Sequence, residues 1–208
     1  MVVVNGDIGD PAFYQPLLET VDYVMIADGG SRHVAPLCIE PDVIMGDFDS
    51  IDSLDDFTNQ WPRVTVETFP VHKDYTDSEL VVERAMALGP DRITIVGGLG
   101  SRWDHSMATL FLLKRIHDQG IEGCVINPHN SIRYVTEKQV FYDNVGQTVS
   151  LLPVTPQVTG INLYGFRYPL VDASLKFGET RGISNVVEEK QATVTLEEGV
   201  VLVIVARD

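Results

Sequence analysis

The sequence predicts a protein of the α/β class, with an N-terminal three-layer α/β/α domain built on a mostly parallel sheet, followed by an all-β domain. Up to about residue 126, short apolar runs alternate with helical patterns, which is typical of parallel sheets. Beyond it, β-rich runs are separated by turn residues and show no long helical period. The 208 residues suffice for two modest domains, which we place at residues 1–130 and 131–208.

In the first domain, apolar and β-branched runs predict strands at residues 2–4, 21–27, 42–45, 64–69, 93–96 and 124–126. Asp10-Pro11 offers an N-cap and a proline at the first helical position, so a short helix should follow. Further helices are expected from about Ser31, after Thr76, and from the glycine-rich turn near residue 100 towards Gly120. Residues 50–56 fit a loop or a short helix.

In the second domain, strands are predicted at residues 132–136, 139–142, 148–152, 158–164, 186–187, 192–196 and 200–205. Turn-forming residues, namely proline, glycine and asparagine, separate these runs. An antiparallel sandwich and a barrel both fit this pattern.

Charge and composition exclude several classes of function. The formal net charge of -15 argues against binding a nucleic-acid backbone, which needs a basic face. No segment has the roughly 18 consecutive apolar residues of a membrane span, and the first residues lack a signal-peptide pattern. Cys38 and Cys124 have no ligand-like spacing, so we predict two reduced, buried thiols in a cytoplasmic protein.

Two carboxylates, Asp47 and Asp49, directly follow the third predicted strand, in Gly46-Asp47-Phe48-Asp49-Ser50. If the extended backbone persists, they share one side, because strand side chains alternate with a period of two. Mg²⁺ prefers carboxylate oxygens and often takes only one or two from a protein. The alternative is a turn in which Gly46 bends the chain and Asp49 or Ser50 caps a helix.

Acidic residues follow four of the predicted strands, namely Asp28, Asp47, Asp49, Asp74, Asp77 and Asp104. Because ligands of open α/β sheets bind beyond the carboxyl ends of the strands, we expect these residues to converge on one edge. Two carboxylates about 5 Å apart repel each other by roughly 3 kcal/mol at an effective dielectric constant of 20. A bound divalent cation would relieve that repulsion.

The segment from Lys73 to Glu79 has two interpretations. Thr76 and Glu79 fit a capping box at the start of a helix that ends near Gly89-Pro90. Capping does not require the neighbouring Lys73, Asp74 and Asp77, so these residues are candidates for function.

The glycine-rich turn Gly97-Gly98-Leu99-Gly100 stands between a predicted strand and a helix, where backbone N–H groups can face phosphate. It is not a dinucleotide fingerprint, because Trp103 replaces the third glycine, and it lacks the Gly-Lys-Ser/Thr of a Walker loop. Arg102 could donate two hydrogen bonds to phosphate, whereas Asp104 could be only an N-cap. With a metal and Lys73, the pattern indicates phosphoryl or pyrophosphoryl transfer from a nucleotide.

Over nearly its whole length, the sequence carries motifs whose order and spacing match those of a known protein family. The matching segments of the first half are Ala27-Asp28-Gly29-Gly30, Pro41-Asp42, Gly46-Asp47-Phe48-Asp49-Ser50, Lys73-Asp74-x-Thr76-Asp77-x-Glu79, and Gly97-Gly98-x-Gly100-x-Arg102-x-Asp104-His105. Those of the second half are Leu151-Leu152-Pro153, Gly165-Phe166-x-Tyr168-Pro169-Leu170 and Gly182-Ile183-Ser184-Asn185. In the order and spacing of these motifs, the sequence resembles the bacterial thiamine pyrophosphokinases.

This resemblance implies transfer of the pyrophosphoryl group of ATP to the hydroxyethyl oxygen of thiamine, giving thiamine diphosphate and AMP. It implies a nucleotide-binding α/β domain followed by a β-sandwich, in a homodimer with thiamine bound where the subunits meet. Mg²⁺ would be the cofactor, and no nucleic acid or membrane partner is expected.

The resemblance also implies roles for individual residues. Mg²⁺ would be held by Asp47, Asp49 and Asp77, whereas metal-bound water, nucleotide or the thiamine hydroxyl would be positioned by Asp28, Asp74 and Asp104. Groups expected to contact ATP are Asp28, Gly29, Gly30, Lys73, Gly98, Gly100 and Arg102. Ser184 and Asn185 would line the thiamine pocket. Either Asp74 or Asp77 could accept the hydroxyl proton.

Three questions stay open at this point. Some members of the family stack an aromatic on thiamine shortly after the Ser-Asn pair, where this chain has Val186-Val187-Glu188-Glu189; the candidates to replace it are Trp103, Tyr164, Phe166 and Tyr168. The substrate could be another primary alcohol such as a hydroxymethylpterin, although residues 182–185 favour thiamine. A sensor that binds nucleotide or thiamine without catalysis is disfavoured by the full acidic set.

Overall fold

The structure, a computed structural model, describes residues 1–49, 51, 53–68 and 75–207. The chain forms two compact units, which we call unit 1 (Met1–Pro128) and unit 2 (His129–Asp208). Within the described residues, no helix is both long enough and apolar enough to cross a membrane.

Unit 1 is built on a parallel sheet. Its strands are β1 (Val2–Val3), β2 (Met25–Ala27), β3 (Val43–Gly46), β4 (Thr65–Thr68), β5 (Arg92–Val96) and β6 (Glu122–Ile126). They lie in the order β6-β5-β1-β2-β3-β4, and every neighbouring pair is parallel. All six strands therefore end at one edge, the carboxyl edge, and begin at the opposite amino edge.

Helices cover both faces of this sheet. They are α1 (Gln15–Leu18), α2 (Val34–Leu37), α3 (Leu54–Gln60), α4 (Asp77–Ala87) and α5 (Trp103–Asp118), with 3-10 turns at Pro11–Tyr14 and Asp28–His33. On one face, Ile26 and Ile44 share a core with Tyr14 and Leu37. Helix α4 contacts β1, β2 and β3, and α5 lies against β6. These layers confirm the predicted α/β class.

Three predictions for unit 1 need correction. The second strand is only Met25–Ala27, because the Asp42 carboxylate accepts a hydrogen bond from the Val24 N–H (2.7 Å) just before parallel pairing begins. The helix expected from Ser31 starts as a 3-10 turn at Asp28 and becomes α-helical only at Val34. Cys38 was predicted to be buried but is exposed, because it ends α2 with a left-handed φ of 53° on the surface.

Unit 2 consists of two antiparallel sheets. Its strands are β7 (Asn130–Val135), β8 (Lys138–Tyr142), β9 (Thr148–Pro153), β10 (Gln157–Tyr164), β11 (Ala173–Lys176), β12 (Asn185–Val186), β13 (Gln191–Thr195) and β14 (Val201–Ala206). One sheet has the order β12-β9-β14-β7, and the other has the order β11-β10-β13-β8. The two sheets share one apolar core, which confirms a sandwich rather than a barrel.

Alternation of buried and exposed residues explains why the strands of unit 2 were easy to predict. Strand β9 alternates strictly, and β13 nearly so, with Val149, Leu151, Ala192 and Val194 buried. Strand β11 was missed, because its four residues include only one fully buried apolar side chain, Leu175. Its pairing with β10 is tertiary information.

Candidate active site

Two neighbouring strands bring the first acidic residues together at the carboxyl edge. Parallel pairing sets Ala27 of β2 opposite Met45 of β3. Asp28 follows the first strand directly, and Asp47 follows the second after Gly46. A Cβ on Gly46 would lie 2.4 Å from the Cβ of Asp28, so only glycine permits this approach.

Asp28, Asp47 and Asp49 form a compact group, which we call the acidic group. Each offers a carboxylate oxygen, and these three atoms lie within 4.8 Å of one another. Asp28 is 1% exposed, Asp47 is half-buried and Asp49 is exposed. Hard divalent cations prefer carboxylate oxygens as ligands, and three such oxygens lie close together here. Burying an ionised carboxylate is costly without compensation, and a bound cation would supply that compensation.

A turn, not the pleat of a strand, joins Asp47 and Asp49. Strand β3 ends at Gly46, and Phe48 has a left-handed φ of 61°, so the predicted extended geometry does not persist. The half-buried Phe48 ring packs against the core of unit 1. The capping alternative for Asp49 is also wrong, because the N-cap of α3 is Ser53, whose Oγ accepts from the Asp56 N–H. Ser50 lies outside the described residues.

Asp77 stands in the first turn of α4. The predicted N-cap is confirmed, since the Thr76 Oγ accepts a hydrogen bond of 3.2 Å from the Glu79 N–H. The Glu79 carboxylate instead pairs with Arg115 of α5. Asp77 does not belong to the acidic group as far as the described ranges go. The predicted residues Lys73 and Asp74 lie outside the described residues.

Arg102 and Asp104 form an exposed ion pair where α5 begins. Their Nη2 and Oδ2 atoms are 2.6 Å apart, and the hydrogen bond from Arg102 lowers the pKa of Asp104 below its ordinary value. Asp104 is not the N-cap of α5, because that position is Arg102 itself. Asp104 of α5 and Thr76 and Glu79 at the start of α4 are among the residues that line a cavity of about 190 Å³ between the two helices.

The predicted glycines allow close approaches inside unit 1. Added Cβ atoms on Gly29 and Gly30 would lie 2.5 Å from the Asn5 side chain and from the Val3 carbonyl oxygen, and one on Gly98 would lie 2.8 Å from Thr109. Around Gly100 there is more room, with nearest atoms at 3.4 Å or beyond. Packing therefore requires glycine at positions 29, 30 and 98, whatever they bind, but not at Gly100.

The Gly100 N–H already has a protein acceptor. It donates to Ser106 Oγ over 3.1 Å, and the same hydroxyl lies 3.1 Å from the Arg102 carbonyl oxygen. This N–H therefore shapes the turn and is not directed at a ligand.

Sequence analysis missed the loop that follows β1. Arg32 donates hydrogen bonds to the carbonyl oxygens of Asn5 and Gly6, and His33 Nε2 lies 2.8 Å from the Gly6 oxygen. Burial lowers the pKa of His33. Asn5-Gly6-Asp7 follows a strand at the same edge as the acidic group, so the rule that selected Asp28 could have selected this loop too.

In unit 2, Asn185 is engaged with the backbone. It is 8% exposed, its Nδ2 donates to the Tyr168 carbonyl oxygen (2.7 Å), and its Oδ1 accepts from the N–H groups of Tyr168 (3.0 Å) and Val186 (2.9 Å). Ser184 is exposed, has a left-handed φ of 61°, and donates its N–H to Ser150 Oγ. The Ser184-Asn185 pair therefore fixes a turn and the segment at Tyr168.

Of the four aromatic candidates for stacking, Phe166 is unsuitable. It is 6% exposed and makes an edge-to-face contact with Phe141 in the core of unit 2. Trp103, Tyr164 and Tyr168 are 76%, 57% and 62% exposed, so their rings are accessible to a ligand.

Comparison with known families covers both units. The family model described as "Thiamin pyrophosphokinase, catalytic domain" matches residues 14–125. A second, described as "Thiamin pyrophosphokinase, vitamin B1 binding domain", matches residues 130–201.

Individual relatives agree with these matches. The thiamine pyrophosphokinase of Bacillus subtilis (strain 168) is 27% identical over 183 residues, covering 87% of this chain and 86% of the relative. Thiamine pyrophosphokinase 1 of Arabidopsis thaliana is 27% identical over 220 residues, covering 93% and 81%.

Solved structures show the same fold. The crystal structure of the Bacillus subtilis thiamine pyrophosphokinase matches with a TM-score of 0.87 at 26% identity, over 100% of this chain and 98% of that one. Thiamin pyrophosphokinase from Candida albicans matches with a TM-score of 0.80 at 17% identity, over 99% and 88%, which supports the fold alone. Since the catalytic-domain model alone spans more than half of the chain, and its relatives match along most of their lengths, the chain belongs to the thiamine pyrophosphokinase family.

Proposed function

We propose that this chain transfers the pyrophosphoryl group of ATP to the hydroxyethyl oxygen of thiamine, giving thiamine diphosphate and AMP. The observation that carries the proposal is the acidic group at the carboxyl edge, in a chain of the thiamine pyrophosphokinase family. In the transfer, the hydroxyl oxygen bonds to the β-phosphorus, and the bond from that phosphorus to the oxygen of the α-phosphate breaks. The hydroxyl proton passes to a base, and AMP leaves.

The acidic group would hold Mg²⁺. Three carboxylate oxygens within 4.8 Å of one another, one of them on the buried Asp28, fit the oxygen preference of this ion. Bound there, Mg²⁺ would neutralise charge on the phosphate oxygens. This assignment puts Asp28 beside the predicted ligands Asp47 and Asp49. Asp77 stays a prediction as a further ligand, and with Asp74 it is a candidate for the proton acceptor.

ATP would be held by cationic side chains and backbone donors of residues 1–130. Arg102 is exposed at the start of α5, where its pairing with Asp104 holds the guanidinium beside the glycine-rich turn. A guanidinium can donate two parallel hydrogen bonds to a phosphate. We assign Lys73 to the same task and backbone N–H groups of Gly29, Gly30 and Gly98 to the nucleotide.

Thiamine would be bound by residues 131–208, with Ser184 lining the pocket. Asn185 would act as a positioning residue, because its carboxamide is occupied by the backbone of Tyr168 and Val186. The accessible ring of Tyr168 is then a candidate to stack on thiamine. We further propose a homodimer with thiamine bound where the subunits meet.

Product analysis tests the reaction. The protein, incubated with ATP, Mg²⁺ and thiamine, should form AMP and thiamine diphosphate in equal amounts. ADP with thiamine monophosphate would contradict attack on the β-phosphorus. A hydroxymethylpterin in place of thiamine should give no AMP, and AMP formation with the pterin alone would favour the alternative substrate.

Mixing variants tests the assembly. One variant altered at Asp47 and another altered at Ser184 by a bulky residue that blocks the pocket should each be inactive, yet regain part of the activity after subunit exchange. A fully active monomer in solution would overturn the shared site while leaving the reaction intact.

A further inference from the structure

Unit 1 contains a second cavity, of about 620 Å³, at the amino edge of the sheet. Val2, Met25, Arg92 and Glu122 line it, and each is the first residue of its strand. The acidic group instead follows the last residues of β2 and β3. Because the strands are parallel, the two sites lie at opposite edges, and the cavity is separate from the proposed site of catalysis.

The floor of this cavity is apolar with one polar exception. Val2, Met25 and Ile93 are at most 2% exposed. Thr94 also lines the cavity and is 7% exposed, yet its hydroxyl makes no hydrogen bond to any residue that the structure describes. The Thr94 Oγ1 atom is not among the fully buried polar atoms that lack a partner, so it is accessible from the cavity and offers a donor and an acceptor to a molecule there.

The lining carries net negative charge, because the carboxylates of Asp22, Asp91 and Glu122 outnumber the Met1 ammonium and Arg92. Burial lowers the pKa of the Met1 ammonium, and the nearby Asp22 carboxylate partly opposes this lowering. Asp22 and Asp91 are exposed lining residues, and neither side chain forms an ion pair or hydrogen bond with another described residue. The two positive groups of the lining are already engaged. The Met1 ammonium donates to the Tyr23 carbonyl oxygen over 2.6 Å, and Arg92 pairs with Glu122 at 2.8 Å.

Helix α4 adds to this negative field. Ala85 in its last turn, and Leu88 and Gly89 just beyond its end, line the cavity. A helix C-terminus carries partial negative charge that favours cations. Leu88 and Tyr23 are 47% and 41% exposed, which gives the lining accessible apolar surface. The lining thus combines apolar surface, one buried hydroxyl and net acceptor character.

We propose that this cavity is a ligand site for a small organic cation with an apolar body. The apolar body lies against the accessible surface of Tyr23 and Leu88, and the cationic group contacts a carboxylate of the lining, Asp22 or Asp91. A volume of about 620 Å³ is within the range of small-molecule sites, roughly 300–1,000 Å³. The site goes beyond the proposed transfer reaction and does not depend on it.

Three probes with the same ring and different charge test the proposal, namely benzylammonium, benzyl alcohol and benzoate. Each is titrated into the full chain, and amide chemical shifts are followed by NMR. We expect benzylammonium to shift the amides of lining residues such as Thr94 and Leu88, and to bind about tenfold more tightly than the alcohol, since one favourable charge contact of about 1.4 kcal/mol is tenfold in affinity. Benzoate should bind most weakly.

Two variants sharpen this test. Asp22→Asn with Asp91→Asn should weaken benzylammonium about tenfold and leave benzyl alcohol unchanged. The matched control is Asp143→Asn with Asp172→Asn in unit 2, which makes the same change in charge at two exposed aspartates with φ of 56° and 47°, where Asn is equally tolerated. The control should bind like the parent.

Several results would overturn the proposal. Equal affinity for the three probes, or unchanged affinity of the Asp22→Asn/Asp91→Asn variant for benzylammonium, would show that the charge of the lining does not contribute to binding. Shifts at Asp28 and Gly46 instead of Thr94 would assign the cation to the acidic group, and no shifts with any probe would exclude the site. Ala85→Leu, which adds three carbon atoms to the wall of the cavity, should weaken the binding of all three probes, and unchanged binding would place the probes elsewhere. If this variant does not fold, the Asp22→Asn/Asp91→Asn variant tests the proposal alone.

Discussion

The acidic group of unit 1 and the Ser184-Asn185 turn of unit 2 are held in place in opposite ways. In the acidic group, three like charges have oxygens within 4.8 Å of one another. In the turn, the neutral carboxamide of Asn185 makes three hydrogen bonds to backbone groups. The carboxylates of the acidic group repel one another, and the surrounding fold holds them together. The hydrogen bonds of Asn185, in contrast, stabilise the fold. Both were predicted as site residues, yet only the first has the character of a group that needs a ligand.

The repulsion within the acidic group and the hydrogen bonds of Asn185 have comparable energies of opposite sign. Two carboxylates 4.8 Å apart repel by about 3 kcal/mol at an effective dielectric constant of 20, and water reduces this for the exposed Asp49. Each hydrogen bond of a buried carboxamide contributes about 1 kcal/mol, and leaving its partner unsatisfied costs about 1–3 kcal/mol. Substitutions in the two regions should therefore change stability in opposite directions.

The largest expected effect is on turnover in Asp49→Asn. This variant removes one charge at nearly constant shape, so we expect kcat to fall by about 100-fold or more if the acidic group holds Mg²⁺. The metal-free variant should melt at the parental temperature or above it, because a repulsion is removed. The rise in Tm that Mg²⁺ produces, RT ln(1 + [L]/Kd) in free energy, should be lost.

Asp10→Asn is the matched control for this change. Asp10 caps the 3-10 turn Pro11–Tyr14 through the Ala12 N–H, and Asn caps about as well as Asp. Its turnover and its Mg²⁺ response should equal those of the parent. Near-parental turnover of Asp49→Asn with an undiminished shift in Tm would show that Asp49 is not a metal ligand.

Asn185→Ala should have the largest effect on stability. It removes three hydrogen bonds and leaves the N–H and C=O groups of Tyr168 without this partner, so we expect the free energy of unfolding to fall by about 2–4 kcal/mol. Urea denaturation measures it. Asn144→Ala, which loses one bond to Gln147, should cost less than about 1 kcal/mol. An equal loss of unfolding free energy in both variants would show that Asn185 is no more important for stability than Asn144.

Ser184→Gly should separate function from stability in the same turn. Glycine relieves the left-handed φ of 61° by about 1 kcal/mol but loses a similar amount in chain entropy, so the free energy of unfolding should change by less than about 1 kcal/mol. If the Ser184 hydroxyl contacts thiamine, the KM for thiamine should rise about tenfold with little change in kcat. An unchanged KM would remove Ser184 from the pocket.

The smallest effect concerns the exposed ion pair of Arg102 and Asp104. The hydrogen bond from Arg102 lowers the pKa of Asp104, so this pair favours the folded state above the ordinary aspartate pKa and loses that effect as pH falls through the lowered pKa. NMR titration of the carboxyl carbon should give a midpoint below the ordinary value, and Arg102→Gln should raise it. Identical midpoints would contradict the pairing.

Local pattern explains why much of this chain was predictable. Apolar runs bounded by turn residues located most strands of both units, and strand ends located Asp28, Asp47 and Asp49, because an acid beside a strand terminus is a sequence-local feature. Strand β11 and the contacts of Arg32 with Asn5 and Gly6 were missed, because they depend on segments far apart in the chain.

The sequence by itself determined the α/β-then-β order, the family, and the residue types gathered at the carboxyl edge. Only the tertiary structure decided that Asp28 joins Asp47 and Asp49, that Phe48 turns the chain between the last two, and that Asn185 faces backbone. It alone revealed the cavity at the amino edge. The physical reason is that periodicity and capping act over a few residues, whereas convergence of strand ends, burial of a carboxylate and the walls of a cavity are set by elements that meet only when the chain has folded.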